Sequence, residues 1–502
     1  MRRDPEGMPK SKTFEDLSLE PYQDDRELWR WLYQQLRMAI LDGRLRAGTR
    51  LPSTRDFADQ YGVSRGTVVA AFDQLQAEGY TSVEPGSGTY VESDLPSQLE
   101  VQNAAKAKRL ASAREHVKLS KLVARTIANV EMMPASRSVG RAFRSWEPAI
   151  DIFPVELWAK VATRVMRRAP RSLYGQGESL GYRPLRVAIA EYIGSARGVL
   201  CSPDQVLITT GAQQGLDLMS RLLLDPGDLV WVEDPGYHLA KHAFQAVGAK
   251  IVPIRVDRQG IDVGVGIKAA PNAKLAYVSP ANQFPLGVTM SAERRLALLN
   301  WAQSSGAWII EDEYDAEYRY GGRPVASLQS LDRQSAVIYI GTFTKMLFNA
   351  IRIGFVVLPE ALIEPTAKLR MILDRQSATL DQAILAEFMT EGHFGQHVRK
   401  MRGIYAERLA VLREASEKHL TGLLTVEDAV AGMRTVGWLQ PDNSDEDVAS
   451  RARSAGLNLF SVSNFTMKFR QPPALILGFA GCEAKELQRG VSVLASVLRK
   501  SK

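Results

Sequence analysis

The most constraining feature of the chain is a regular alternation of short apolar runs with stretches in which apolar residues recur at helical spacing. One such stretch, SAERRLALLNWAQSSG at 291–306, ends on a glycine, as helices often do. This alternation predicts a mostly parallel sheet with helices on both faces. The apolar runs are VLITT at 206–210, LVWVED at 229–234, LAYVSP at 275–280, AWIIED at 307–312 and AVIYIG at 336–341.

Length, charge and cysteine content narrow the class of protein. With 502 residues the chain exceeds one compact core, so several domains are expected. Cys201 and Cys482 cannot form a disulfide framework, and the polar start MRRDPEGMPK lacks the apolar segment of a signal peptide. No apolar run approaches the roughly 18 residues of a membrane span. We therefore expect a cytoplasmic protein without a membrane partner, and the net charge of +7 is compatible with an acidic partner.

The segment 51–80 has the pattern of two helices joined by a tight turn. Ser53 is placed to cap the first helix, and Ser64 is placed to cap the second. Arg65 and Thr67 lie in the first turn of the second helix, where a recognition helix meets base edges. They are opposite an apolar face formed by Val68, Ala71, Phe72 and Leu75.

A hairpin follows these helices. Residues 81–93, TSVEPGSGTYVES, are two short strand-like runs around a glycine-serine-glycine turn. Helices and hairpin together predict a winged helix-turn-helix domain at 25–92, although a small helical interaction domain with an incidental hairpin shares the pattern. The order LPS, GVSRGTV, EGY and GSGTYV resembles the GntR family of bacterial winged-helix regulators. The resemblance implies binding to double-stranded promoter DNA through Arg55, Ser64, Arg65, Thr67, Ser87 and Gly88.

A lysine in GTFTKMLF, residues 341–348, is the candidate reactive group of the larger part of the chain. The amine of Lys345 can condense with an aldehyde, which is how pyridoxal phosphate is held and used. That cofactor also needs a carboxylate for its pyridine nitrogen and a group for its ring oxygen. Asp312 follows an apolar strand, at the end where open α/β sheets bind ligands, and Tyr314 comes two residues later.

The same part of the chain offers a phosphate site. TGAQ, residues 210–213, follows a predicted strand and opens a predicted helix, so its backbone amides would face an anion. Tyr237 in EDPGY can cover the cofactor ring. Lys345 is flanked in the sequence by the hydroxyls of Thr342 and Thr344 and by the positive charge of Arg352, which suit a phosphate. Each signal is common by itself, since a lysine is usually a solvated charge and an aspartate at a strand end is often only a cap.

Five motifs occur together in one order: LYGQGESLGYRPLR, ITTGAQQGLDL, VEDPGY, IIEDEYDAEYRY and GTFTKMLF. In that order they resemble the fold type I aminotransferases. With the GntR-like segment, the whole chain resembles the MocR/GabR-type regulators, in which such a domain serves as a sensor. The resemblance implies pyridoxal 5'-phosphate, held as an internal aldimine on Lys345, with Asp312 and Tyr314 as the other catalytic positions. The implied cofactor-binding set is Lys345, Asp312, Tyr314, Gly211, Ala212, Gln213, Tyr237, Thr342, Thr344 and Arg352.

The predicted organisation has four parts. They are a flexible arm at 1–24, the winged helix-turn-helix domain at 25–92, a basic linker at 93–140, and an α/β fold type I aminotransferase-like effector domain at 141–502 with a smaller C-terminal α/β subdomain from about 375. By resemblance, the effector domains pair head to tail as a homodimer. A small-molecule effector, either pyridoxal phosphate itself or an amine, would then control promoter binding.

Three positions depart from the aminotransferase pattern. Phe284 replaces the asparagine that contacts the ring oxygen of the cofactor. Leu239 and Ile476 occupy the positions where an arginine would clamp a ligand carboxylate. We therefore expect a sensor without net turnover, and a working aminotransferase with an accessory DNA-binding domain is the alternative. A carboxylate on the effector would need another arginine, such as Arg319 or Arg402.

Two histidines have a spacing that metal ligands also use. His393 and His397 lie four residues apart, as two ligands on one helix face do. No third ligand is near them in the sequence. A structural or surface role is therefore predicted for both, and no metal site is predicted.

Overall fold

The computed structural model describes residues 17, 19, 22, 27–84, 86–93, 119–128, 130, 142–321 and 326–499. The chain divides into two compact units, residues 1–119 and residues 120–502, called unit 1 and unit 2 below. Most of the predicted arm at 1–24 and much of the predicted linker at 93–140 lie outside the described residues.

Unit 1 contains the predicted helix-turn-helix and hairpin. Its elements are α1 (Leu28–Leu41), α2 (Thr54–Tyr61), α3 (Arg65–Ala77) and the antiparallel strands β1 (Thr81–Glu84) and β2 (Gly88–Val91). Both predicted caps are confirmed, because the Ser53 and Ser64 hydroxyls accept backbone amide hydrogens at 3.2 and 3.1 Å. Gly62, with φ 66°, ends α2 in the left-handed region, and Phe57 packs edge-on against Phe72 in the core.

Unit 2 is built on an eight-stranded sheet in the order β3-β10-β9-β8-β7-β4-β5-β6. Five neighbouring strands are parallel to one another: β9, β8, β7, β4 and β5. Strand β10 pairs antiparallel with β3 and β9, and β6 pairs antiparallel with β5. All five predicted strands are present, as β3, β4, β7, β8 and β9. The strands are β3 (Val206–Thr209), β4 (Leu229–Asp234), β5 (Lys250–Asp257), β6 (Gly260–Ile261), β7 (Leu275–Val278), β8 (Trp308–Glu313), β9 (Val337–Thr342) and β10 (Gly354–Val357).

Helices cover both faces of this sheet because successive strand residues point to opposite sides. In β4, Val230 joins one apolar cluster, whereas Trp231 joins the cluster on the other side and stacks on Trp301 at 3.7 Å between ring centroids. The helices of this region are α4 (Lys121–Ile127), α5 (Val155–Arg168), α6 (Arg183–Arg197), α7 (Ala212–Leu223), α8 (His238–Ala246), α9 (Val263–Ala269), α10 (Ala292–Ser305), α11 (Leu328–Leu331), α12 (Glu360–Leu373) and α13 (Thr379–Thr390).

A smaller four-stranded antiparallel sheet, in the order β11-β12-β14-β13, forms the C-terminal part of unit 2. Its elements are α14 (His393–His419), β11 (Leu424–Val426), β12 (Arg434–Leu439), α15 (Asp445–Ser454), β13 (Phe460–Ser461), β14 (Ala474–Gly478) and α16 (Ala484–Arg499). None of the helices described, in either unit, is long and apolar enough to cross a membrane.

The two sheets of unit 2 are joined by a carboxylate. Asp234, the last residue of β4, accepts backbone amide hydrogens from Met467, Lys468 and Phe469 at 2.7, 2.6 and 2.9 Å. These three residues lie in the loop between β13 and β14. The carboxyl edge of the large sheet is therefore held directly against the small sheet.

Candidate cofactor site

A cavity of about 520 Å³ opens where strands β8 and β9 end and the small sheet begins. Its volume falls within the range of small-molecule sites, roughly 300–1,000 Å³. Nine of the ten predicted cofactor-binding residues line it: Ala212, Gln213, Tyr237, Asp312, Tyr314, Thr342, Thr344, Lys345 and Arg352. The tenth, Gly211, lies directly beneath the Arg352 guanidinium.

Asp312 is a buried carboxyl with one free oxygen. Tyr277 donates its hydroxyl hydrogen to Oδ2 at 2.6 Å, whereas Oδ1 has no hydrogen-bond partner among the described residues. Burial raises the pKa of this carboxyl to about 6, partly opposed by the Tyr277 hydrogen bond. The site therefore presents a buried acceptor that a cationic N–H group would satisfy.

Lys345 lies in the loop that follows β9. Its Nζ donates to the Trp146 carbonyl at 2.6 Å, and burial lowers the pKa of the amine to about 8, against an opposing effect of Asp315. The next residue in the loop is held in place by His397, whose Nε2 lies 3.0 Å from the Met346 carbonyl oxygen. This contact supports a structural role for His397, as the sequence predicted.

The start of α7 forms an anion cradle. Gly211 has φ 81°, and a Cβ there would lie 2.8 Å from Nη2 of Arg352, so both backbone shape and space require glycine. Arg352 donates to the Thr210 carbonyl at 3.2 Å. Thr344 lines the same cavity, and its Oγ1 is buried without a partner in the described part of the chain. Helix amides, a hydroxyl and a guanidinium therefore converge as a phosphate requires.

The cavity is also lined by an arginine that the sequence analysis missed. Arg434, at the start of β12, donates to the Tyr314 hydroxyl, which in turn donates to the Asn282 carbonyl. Its guanidinium lies 4.6 Å from the centroid of the Phe284 ring. Arg434 is separated from Tyr314 by 120 residues, and only the pairing of the small sheet brings it here.

Two of the three residues that depart from the aminotransferase pattern, Phe284 and Leu239, line the cavity, and the third, Ile476, is fully buried in β14. The two arginines named as examples of a substitute are not among the residues lining the cavity, and Arg402 donates to the Glu317 carbonyl. Arg434 is an arginine that does line it.

The predicted DNA-contacting residues lie on α2, α3 and the hairpin of unit 1. Arg55 and Arg65 are exposed. The Ser64 hydroxyl is already engaged as a helix cap and lies 2.8 Å from the Thr67 hydroxyl. In the hairpin, the Ser87 hydroxyl contacts that of Tyr90 at 2.7 Å, and a Cβ on Gly88 would meet the exposed Arg50 side chain. Arg50 is thus a basic neighbour of the hairpin that the sequence analysis did not single out.

Comparison with known proteins gives the same two parts. Residues 150–494 match the family Aminotransferase class I and II, and residues 30–91 match the family Bacterial regulatory proteins, gntR family. The chain is 39% identical to the probable rhizopine catabolism regulatory protein MocR of Rhizobium meliloti, over 94% of each protein. The chain belongs to the MocR-type regulators.

Other relatives and solved structures agree with this family. The pyridoxine biosynthesis transcriptional regulator PdxR of Corynebacterium glutamicum is 28% identical, over 91% of this chain and 93% of PdxR. The fold of unit 2 resembles an archaeal alanine:glyoxylate aminotransferase (TM-score 0.67, 27% identity, 77% of this chain and 97% of that one). It also resembles LysN of Thermus thermophilus, solved with N-(5'-phosphopyridoxyl)-L-leucine (TM-score 0.68, 26% identity, 76% and 99%).

The cavity fits the cofactor that this MocR-type membership implies, which is pyridoxal phosphate. Two buried oxygens there lack partners among the residues described, Asp312 Oδ1 and Thr344 Oγ1. The first suits the protonated pyridine nitrogen, and the second suits a phosphate at the anion cradle. Lys345 supplies an amine of lowered pKa between them. The winged helix of the family implies that the chain binds DNA.

Proposed function

We infer that this chain is a transcriptional regulator in which occupancy of the unit 2 cavity controls promoter binding by the winged helix of unit 1. The observation that carries this inference is the convergence of Lys345, Asp312 and the α7 anion cradle on one cavity, in a chain that also has a complete helix-turn-helix and hairpin. Pyridoxal phosphate supplies a reactive aldehyde and an electron-withdrawing ring when it is bound.

Each of the predicted cofactor-binding residues has a role in this proposal. Lys345 provides the amine that attaches the cofactor, and its lowered pKa increases the unprotonated fraction at neutral pH. Asp312 holds a proton on the pyridine nitrogen, and Tyr314 faces the ring oxygen. The amides of Gly211 to Gln213, the threonines and Arg352 bind the phosphate, and Tyr237 covers the ring.

The proposed assembly is a head-to-tail homodimer. Three consecutive apolar side chains at the end of α12 are exposed, namely Met371, Ile372 and Leu373 at 49, 81 and 43%. Exposed apolar patches mark protein interfaces, so this segment is a candidate contact between copies. Two winged helices in a dimer imply two half-sites on the promoter, about 10 base pairs or a multiple of that apart.

The proposed effector is pyridoxal phosphate itself or an amine that shares the cavity with it. Either can act only if it binds the DNA-competent and the DNA-incompetent arrangements with different affinity. Among the relatives, PdxR is named for pyridoxine biosynthesis, and MocR is named for rhizopine catabolism. Both kinds of effector are therefore candidates for this chain.

An aminotransferase reaction is the second candidate function. The lysine, the aspartate and the tyrosine that such a reaction uses are all in the cavity, which favours it. Phe284 and Ile476 oppose it, because neither can hydrogen-bond a cofactor or pair with a carboxylate. Incubation with an amino acid and 2-oxoglutarate separates the two functions: repeated turnover without any effect on DNA binding would identify an enzyme.

The regulator proposal is tested by measuring the affinity for the promoter next to the gene of this protein, with and without pyridoxal phosphate. We expect the cofactor to change the affinity of the native protein and not that of Lys345→Ala. Lys268→Ala is the matched control, because this lysine is exposed on α9, away from the cavity lining, and should respond as the native protein does. A native protein whose DNA affinity ignores the cofactor would refute the proposal.

A further inference from the structure

Three cationic side chains of the described chain line the cavity: Lys345, Arg352 and Arg434. The proposed function assigns the first to the cofactor aldehyde and the second to its phosphate. Arg434 has no task toward the cofactor in that proposal, yet it is only 4% exposed. A buried guanidinium is costly unless it is paired.

The partners of Arg434 leave part of its hydrogen-bonding capacity unused. One terminal nitrogen donates to the Tyr314 hydroxyl, and the other lies 3.5 Å from the nearer Asp315 oxygen, which is long for a hydrogen bond. Its Nε is buried without a partner among the described residues. The guanidinium also faces the rings of Phe284 and Tyr314, at 4.6 and 5.1 Å from their centroids, which holds its plane.

Asp315 forms a buried ion pair with this arginine, but it is a poor hydrogen-bond partner for it. Its Oδ1 accepts from the Asn282 side chain at 2.8 Å, and its Oδ2 accepts the Met433 amide hydrogen at 3.2 Å. Each Asp315 oxygen is therefore directed at a closer donor than Arg434, which leaves hydrogen-bonding capacity on the guanidinium. A second carboxylate in the cavity would find a planar donor fork that is positioned and only partly used.

The position of Arg434 on the small sheet explains how it takes over from Ile476. In the antiparallel pair of β12 and β14, Val436 is opposite Ile476 and Arg434 is opposite Gly478. Residues two apart on a strand share a face, so Arg434 projects from the same face as Ile476, one row along. An arginine absent from β14 is thus replaced by one on the neighbouring strand.

We propose that Arg434 anchors the acidic group of the effector, and that the effector is an amine bearing a carboxylate. The inference rests on the proposed function, since the amine would have to meet the cofactor held at Lys345. Of the two effector candidates, this proposal favours the amine over pyridoxal phosphate itself. It also makes Arg434 a specificity-determining residue, because the guanidinium fork distinguishes an acid from a neutral analogue of the same length.

The test uses the cofactor-loaded full chain and a series of straight-chain ω-amino acids, from glycine to aminohexanoate, each beside its methyl ester. For each compound we measure the concentration that gives half of the maximal change in the visible absorbance of the bound cofactor. We expect at least one acid to act at roughly 10- to 100-fold lower concentration than its ester, as a hydrogen-bonded charge would give. Arg434→Met should abolish that preference.

Two further variants keep the test decisive. Arg434→Lys retains the charge without the fork and should retain part of the preference, whereas Arg402→Met changes an exposed arginine outside the cavity lining and should behave as the native protein. Equal responses to acids and esters in a native protein that binds cofactor and DNA would overturn this inference and leave the regulator proposal standing. A native protein that binds no cofactor would overturn both.

Discussion

The lowered pKa of Lys345 makes a quantitative prediction for attachment of the cofactor. Burial takes the pKa of this amine from 10.5 to about 8. At pH 7 about 9% of the amine is then unprotonated, against about 0.03% for an ordinary lysine, a ratio of about 300. Because only the unprotonated amine attacks an aldehyde, the rate of attachment should rise about tenfold per pH unit below pH 8 and level off above it.

The assay mixes cofactor-free protein with pyridoxal phosphate at pH values from about 6.5 to about 10 and follows the visible absorbance. Two other ionisations lie at the lower edge of this range and should not distort the inflection near 8. The pKa of Asp312 is about 6, and the second phosphate pKa is also about 6, so both groups are mainly charged above pH 7.

Two controls identify the group that titrates. Free Nα-acetyl-lysine should show a rate that still rises at pH 10, because its amine has the ordinary pKa. Lys345→Ala should yield no covalent adduct after borohydride reduction and peptide mapping. A native rate that continues to climb tenfold per unit beyond pH 9 would refute the idea that burial tunes this lysine.

Three further predictions concern stability and DNA binding. Ser64→Ala removes the cap of α3 and should lower the stability of unit 1 by about 1 kcal/mol in urea unfolding, with weaker DNA binding; an unchanged transition would count against the cap. In the native protein, Arg197 pairs with the buried Glu313 carboxylate at 2.6 Å. Arg197→Met removes this cation and should destabilise unit 2 by roughly 3–5 kcal/mol in the same urea unfolding assay. Arg65→Gln should reduce the slope of log affinity against log salt by about 1, whereas an unaltered slope would remove Arg65 from the phosphate contacts.

Features with local causes were predictable from the sequence. A serine before an apolar-periodic segment caps a helix through its own side chain, so the caps by Ser53 and Ser64 could be placed in advance. The strands β8 and β9, which contain Asp312 and Thr342, could be placed because buried parallel strands are continuous apolar runs. The clustering of Asp312 with Lys345 then follows from the common carboxyl edge of the sheet.

Features that depend on pairing between distant segments were not predictable. The hydrogen bond from the Tyr277 hydroxyl to Asp312 forms only because β7 and β8 are neighbours in the sheet. Arg434 enters the cavity only through the register of β12 with β14, which no periodicity reveals. The two arginines named as examples of a substitute, Arg319 and Arg402, do not line the cavity.

The carboxylate bridge from Asp234 constrains how a bound effector can be signalled. Separating the large sheet from the loop between β13 and β14 would break three hydrogen bonds to a single carboxylate, and hydrogen bonds of this kind are worth about 1.5–3 kcal/mol each. A hinged lid movement at this seam would therefore be expensive. We expect unit 2 to answer its ligand by small displacements in which the two sheets move together.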